Sequence, residues 1–253
     1  MPVWQRLEFM RADPETQERL KLEIIGSAAG VRWAQRYDAR PFAEELEGRI
    51  GCLPFREACP AFPALERLCE ESSGWTVVQI GSSSGRELGH FAARYPMVQF
   101  VGVDIVPEVV RYSTAAHQAP NLRLVAGDAR KLRETLSFVQ RPIVLLSNGT
   151  LQYVGPAFIG RWFQDMAAWP AVRHLLINEG VLLTNGPPDQ LHGSLAASSW
   201  SSTHDYRWYA EAAGWLTHAH AIIYPYRPRE AYPGHGQSAH CFYHGVRDPR
   251  PER

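Results

Sequence analysis

Several stretches of this chain end in side chains suited to holding a ligand. Val98–Asp104 closes on a carboxylate, Leu122–Val125 leads into Gly127-Asp128-Ala129, and Ile143–Leu146 leads into Ser147-Asn148-Gly149-Thr150. Thr76–Ile80 leads into the small-residue run Gly81-Ser82-Ser83-Ser84-Gly85. The chemistry on offer is recognition. A small-residue turn that opens a helix presents backbone N–H groups and a helix N-terminus to an anionic or nucleotide-like ligand. A carboxylate roughly twenty residues past such a turn suits a pair of ribose hydroxyls, and Asp104 stands there, with Ile105 beside it. Asp128 can accept from an exocyclic amine, and Asn148-Gly149 borders the same edge. Any one of these acids alone is more often a helix cap or a solvated turn. Consecutive strands that all end this way argue for one shared site.

The residues can act together only if the strands lie side by side with their carboxyl ends aligned, and the hydrophobic pattern asks for that. Thr76–Ile80 is short, apolar and β-branched, the pattern of a buried strand. From Arg86 the apolar residues Leu88, Phe91, Ala92 and Tyr95 fall at helical spacing. Val98–Asp104, Leu122–Val125, Ile143–Leu146 and His174–Glu179, the last extending toward Leu183, read as further strands. Pro107–Ala116 and Phe158–Ala168 read as helices between them. This alternation predicts an α/β fold, a parallel sheet with helices on both faces. The ending differs. After a helix over Asp205–Ala213, closed by Gly214, Thr217–Tyr226 and Ser238–Val246 are both extended, with only the turn-rich stretch Pro228–Gly236 between them. They predict an antiparallel pair at one sheet edge. The tail Arg247–Arg253 is expected to fray.

Residues 1–70 read as an N-terminal helical extension. Asp13-Pro14-Glu15 combines an N-cap, a proline at the first helical position and an acid in the first turn. Leu20, Ile24, Ile25 and Ala28 repeat on one face, and Val31–Tyr37 continues or restarts the helix. Pro41, Pro54, Pro60 and Pro63 then break the chain before a short helix over Ala64–Glu71. The region carries no specific chemistry, and a packing or lid role is expected.

With 253 residues, 45% of them hydrophobic and 21% charged, the chain suits one large α/β domain with an appendage. Lys+Arg 26 balances Asp+Glu 26, which removes the electrostatic footprint of a general nucleic-acid binder. Cys52, Cys59, Cys69 and Cys241 form no C-x-x-C pair, so neither a zinc site nor a disulfide framework is expected. The start, Met1–Glu8, lacks an apolar core of signal-peptide length, and no run approaches a membrane span. The expectation is a soluble, cytoplasmic protein with no membrane partner.

Over about Trp75–Arg247 the chain resembles the S-adenosylmethionine-dependent methyltransferases with the seven-stranded Rossmann-like fold. The matching elements are Val78-Gln79-Ile80-Gly81-Ser82-Ser83-Ser84-Gly85, Val101-Gly102-Val103-Asp104, Gly127-Asp128-Ala129 and the final pair of extended segments. The resemblance implies a three-layer sandwich around a mostly parallel seven-stranded sheet with an antiparallel last strand. Residues 71–253 would form the catalytic domain. It also implies that Gln79 and Gly81–Gly85 pass close to the methionine part of the cofactor, that Asp104 binds the ribose hydroxyls and Asp128 the adenine amine, and that Asn148-Gly149 borders the methyl-transfer site. Leu146–Tyr153 is also similar to a stretch in uncharacterised methyltransferases assigned to sugar and small-molecule O-methylation. There are two departures. The family usually carries an acid where Gln79 stands and a glycine where Ser83 stands. Gln79 brings no charge to the cofactor's ammonium, and Ser83 adds a side chain where backbone approach is close.

The activity implied is methyl transfer to a small-molecule acceptor, oxygen preferred over nitrogen. An alcohol acceptor needs a base near its proton. His204, entering the late helix, is the first candidate and His192 the second, while Tyr153 can position an acceptor. A pocket role also suits Trp200. Asn185-Gly186-Pro187-Pro188 and Ser198–Thr203 form a long Gly/Pro/Ser-rich connection, expected to close over the site together with residues 1–70. His218, His220 and His240 fall on the two final strands, where a cross-strand surface cluster is a better account than a metal site. The Asn/Asp-Pro-Pro-Tyr run of amino-directed DNA methyltransferases is absent. Two rival readings are a catalytically inactive cofactor-binding partner protein and a nicotinamide-dependent oxidoreductase, the latter disfavoured because Gly-x-x-x-Gly replaces Gly-x-Gly-x-x-Gly. The oligomeric state is open, a homodimer being one option.

Overall fold

The computed structural model describes residues 12–25, 28–182, 192–196, 201–227, 231 and 238–248. Helices α1 (Pro14–Ile25), α2 (Ala28–Asp38) and α3 (Phe42–Leu46) precede a minimal antiparallel hairpin, β1 (Arg49–Ile50) and β2 (Leu53–Pro54). Helices α4 (Phe55–Ala58) and α5 (Ala61–Glu71) follow. The alternating region then runs β3 (Thr76–Ile80), α6 (Arg86–Arg94), β4 (Gln99–Asp104), α7 (Pro107–Ala116), β5 (Leu122–Ala126), α8 (Leu132–Thr135), β6 (Ile143–Asn148), α9 (Pro156–Ala167) and β7 (Val172–Leu182). A second small hairpin, β8 (Ser194–Ala196) with β9 (Ser202–His204), leads to α10 (Tyr206–Ala212), β10 (Leu216–Ile223) and β11 (Ser238–Val246).

Seven strands form one sheet in the order β10-β11-β7-β6-β3-β4-β5. Strands β5, β4, β3, β6 and β7 are mutually parallel. Strand β11 runs antiparallel to both its neighbours, pairing Phe242 with Asn178 of β7 and with Ala221 of β10. The expected three-layer α/β sandwich with an antiparallel last strand is therefore the observed fold. Every residue of β3 is buried, as a strand covered on both faces requires.

One side of the sheet packs Val78, Ile80, Val103 and Leu145 against Trp162 and Phe163 of α9 and Tyr206 of α10. The other packs Val77, Phe100 and Val144 against Leu88 and Phe91 of α6 and against Phe62 and Leu65 of α5. Residues Phe42 to Cys69 thus share a core with the sheet itself. Helix α2 packs separately from these two cores, with Ala34 against Val106 and Val109 at the start of α7.

The strand expected over His174–Glu179 is longer, Val172–Leu182, because it pairs along its length with β11. The connection expected to be a loop before α10 carries the β8–β9 hairpin instead. Its Asn185-Gly186-Pro187-Pro188 and Ser198–Trp200 segments lie outside the described residues, as do Met1–Arg11, most of Pro228–Gly236 and the end of the tail.

Candidate functional site

The carboxyl ends of β6, β3, β4 and β5 face one cavity of about 690 Å³. Its lining includes Gln79, Gly81, Ser82, Ser83, Asp104, Ile105, Gly127, Asp128, Ala129, Asn148 and Gly149. Gly85 stands outside the lining, buried under the turn. The strand order puts Asn148 and Asp128 three strand spacings apart, roughly 14 Å at about 4.8 Å per spacing, so the cavity is an elongated ledge.

The turn after β3 has positive φ at Gly81 (+64°), Ser83 (+48°) and Gly85 (+76°). A side chain at Gly81 would collide with Thr150. Ser83 is the unusual member, since a left-handed conformation costs a non-glycine residue about 1–2 kcal/mol. Its backbone N–H donates to Asp104 Oδ2 at 3.0 Å, and Val106 N–H donates to Asp104 Oδ1 at 3.0 Å. The carboxylate is thereby fixed by the main chain. Burial pushes its pKa up against these hydrogen bonds.

Asp128 is also held, by different means. Arg130 donates to it from its backbone N–H at 2.8 Å and from its guanidinium Nε and Nη2 at 3.0 and 2.6 Å. Burial raises the Asp128 pKa, but the hydrogen bonds from Arg130 outweigh it and the net direction is downward. The carboxylate expected to receive an amine is therefore already engaged by a guanidinium.

The opposite end of the ledge is built from side-chain amides. Asn178 on β7 donates to Asn148 Oδ1 at 2.9 Å, and Asn148 donates to Glu87 Oε1 at 3.2 Å. Gln79 donates to Glu87 Oε2. Glu87, in the first turn of α6, lines the cavity. Burial raises its pKa, with the Gln79 hydrogen bond and the Arg86 charge opposing. Glu179 is buried on β7 and accepts from the Ser147 hydroxyl and from the N–H groups of Thr150, Leu151 and Gln152 at 2.9, 3.0 and 3.3 Å. It shapes the turn that brings Gln152 and Tyr153 to the cavity.

Helix α2 covers the ledge with Ala29, Gly30, Trp33 and Tyr37. Its C-terminal end is fastened on two sides. Asp38 accepts from Tyr112 Oη at 2.7 Å and meets His117 Nε2 at 3.0 Å. Arg86 donates to the carbonyls of Tyr37 and Arg40 at 2.8 and 2.9 Å and pairs with Glu45.

Of the three residues expected to handle the acceptor, only Tyr153 lines the cavity. His204 is 1% exposed on β9, where its Nε2 donates to the Val154 carbonyl at 3.0 Å and its Nδ1 accepts from Ser194 Oγ at 2.6 Å. A carbonyl can only accept, so these partners fix the tautomer. Ser194 Oγ also meets Tyr209 Oη at 2.9 Å. His204 thus ties β9 and the β8–β9 hairpin to the turn after Tyr153, with both ring nitrogens committed. His192 is 68% exposed in its side chain, stands 3.9 Å from Asp205 and does not line the cavity. Trp200 lies outside the described residues. The late histidines are dispersed: His240 donates to Ala58, His220 contacts Cys241, and His218 packs on His244. Among the described residues no group of three His, Cys, Asp or Glu side chains is placed to hold a metal ion, and no helix is long and apolar enough to cross a membrane.

Sequence reasoning missed Glu87, Glu179, Arg130 and the α2 aromatics. An acid in a first helical turn reads as a complement to the helix dipole, which hides the second use of Glu87. Glu179 sits in a strand pattern, with nothing local to mark its partners.

No protein-family model matches the sequence, and no curated protein matches it. Solved structures match in fold. The cyclopropane synthase MmaA2 from Mycobacterium tuberculosis aligns at TM-score 0.53 and 12% identity, over 74% of this chain and 84% of that one. An S-adenosylmethionine dependent methyltransferase from Mesorhizobium loti aligns at 0.52 and 14%, over 74% and 97%. The N-terminal domain of EvdMO1, solved with SAH bound, aligns at 0.52 and 13%, over 84% and 97%. This is the fold of the S-adenosylmethionine-dependent methyltransferases. At such identities the likeness shows the fold alone.

Proposed function

We propose that the cavity binds S-adenosylmethionine and that the chain transfers its methyl group to a small-molecule acceptor, with oxygen preferred as the acceptor atom. The observation that carries this reading is that four adjacent strand ends contribute to one wall: Gly81–Ser83, Asp104-Ile105, Gly127–Ala129 and Asn148-Gly149. The residues suit the cofactor. Asp104 has each oxygen oriented by a backbone donor and keeps lone pairs for a ribose diol. Ile105 and Ala129 offer apolar surface to a base. The amide-rich end around Glu87 suits a polar, cationic group.

When bound, the cofactor supplies an electrophilic methyl group on a sulfonium. The chain supplies alignment, which can contribute roughly 7–11 kcal/mol, and exclusion of water by α2, the part of residues 1–70 to which we assign the lid role. Tyr37, Gln152 and Tyr153 supply hydrogen-bonding groups for an acceptor. No histidine is among the described residues of the lining, so His204 is assigned a positioning role and His192 none. An acceptor oxygen that ionises readily, as in a phenol or a carboxylate, fits a site of this kind. In the test, calorimetry on wild type with S-adenosylmethionine and S-adenosylhomocysteine should show binding, and Asp104→Ala should weaken it about 10- to 100-fold. No binding by wild type at millimolar ligand would overturn the reading. A labelled methyl donor offered with pools of phenols, carboxylates and amines then reads the acceptor, and label found only on amines would overturn the oxygen preference.

A further inference from the structure

The Glu87 carboxylate lines the ledge without an ion pair among the described residues and without the backbone donors that hold Asp104. Asp104 is satisfied by backbone N–H groups and Asp128 by Arg130. Glu87 receives only neutral amide donors, Gln79 and Asn148, and the second of these is itself oriented by Asn178. Among the described residues no ion pair reaches it. Arg86, its chain neighbour, is committed to Glu45 and two carbonyls.

The arrangement has a cost that points to its purpose. Gln79 is 2% exposed, and among the described residues its Oε1 has no hydrogen-bond partner while its Nε2 faces Glu87. An unsatisfied buried acceptor is destabilising. Flipping the amide would set its oxygen against the carboxylate and break the contact. Amides from β3 and β6 are therefore turned so that their donors converge on one carboxylate in the cavity wall, the β6 amide being oriented in turn by Asn178 of β7. Such a group is completed by a cation with several N–H donors.

We propose that Glu87 is the anchor for the α-ammonium group of the cofactor, doing from helix α6 what Gln79 cannot do from β3. This rests on the S-adenosylmethionine reading above. The ledge orders its ends accordingly. Asp104 and Asp128 lie toward β5, so an adenosine placed there directs the amino-acid end along the sheet toward β3 and β6, where Glu87 stands.

The test compares two probes by calorimetry: S-adenosylhomocysteine, and its analogue with the α-amino group replaced by hydrogen. In wild type the amino group should improve affinity about ten- to hundredfold. In Glu87→Gln that advantage should vanish while the deaminated probe binds as before, which also shows that the variant is folded. The double variant Gln79→Glu/Glu87→Gln moves the carboxylate to β3 and should restore part of the advantage. Equal affinities of wild type for the two probes would overturn the proposal, as would a Glu87→Gln variant that still discriminates between them. Discrimination kept, with turnover on an amine acceptor lost, would instead assign Glu87 to the acceptor. Failure of wild type to bind either probe would remove the cofactor reading itself, a distinguishable result.

Discussion

The two ends of the cavity are made by different means. At the β4–β5 end, Asp104 is fixed by backbone N–H groups of Ser83 and Val106, and Asp128 by a residue two positions away. At the β6–β7 end, Glu87 is held by side chains 8 and 61 residues away, and Glu179 shapes the Leu151–Tyr153 turn from 28 residues away. Backbone donors exist whatever the sequence. Side-chain donors must be delivered by the whole fold. The first end should therefore tolerate substitution around it, and the second should not.

The sharpest challenge to that contrast is Glu179→Ala. It leaves the Ser147 hydroxyl and three backbone N–H groups without their acceptor, so we expect a loss of at least ~3 kcal/mol in unfolding free energy, read by denaturant titration. A loss under ~1 kcal/mol would mean that water replaces the carboxylate and that the β6–β7 end is as tolerant as the other. Next in size is His204→Ala, which removes two buried hydrogen bonds and an imidazole: about 2–3 kcal/mol of stability, with cofactor affinity nearly unchanged. Unchanged stability with abolished turnover would return His204 to the acceptor site.

The smallest effect concerns pH. The Glu87 pKa is raised above its ordinary 4.5 by burial. A carboxyl raised by folding contributes stability that is present below its unfolded pKa and lost as pH rises through the folded one. Ligand-free Glu87→Gln should therefore melt above wild type at neutral pH, and the gap should close below pH 4.5. A gap that persists at acidic pH would show that charge is not its origin.

Legibility in the sequence follows the same division. The strand ends and the turn were readable because each signal is local: Gly81 and Gly85 for positive φ, Asp104 at a fixed distance, and period-two and helical patterns for the elements. Pro107–Ala116 and Ser238–Val246 match their expected limits. Histidine placement was not legible, because a side chain's type says nothing of its neighbours: His204 had base-like placement in the chain, and the fold surrounds it with Val154 and Ser194. Glu87 was passed over for the mirror reason, since its partners lie on other strands.

The inserted strand β11 has a consequence for how the molecule is made. Among the described residues, strand β10 touches the sheet only through β11, and β7 has no other neighbour on that side. Until residues 238–246 are made, Leu175, Leu176 and Ile177 lack the strand that covers their edge, and β10 lacks its native partner. An unpaired apolar edge is a template for other chains. The molecule is thus most aggregation-prone just before residues 238–246 arrive, and slow synthesis over that interval would be expected to lower yield without altering any residue of the site.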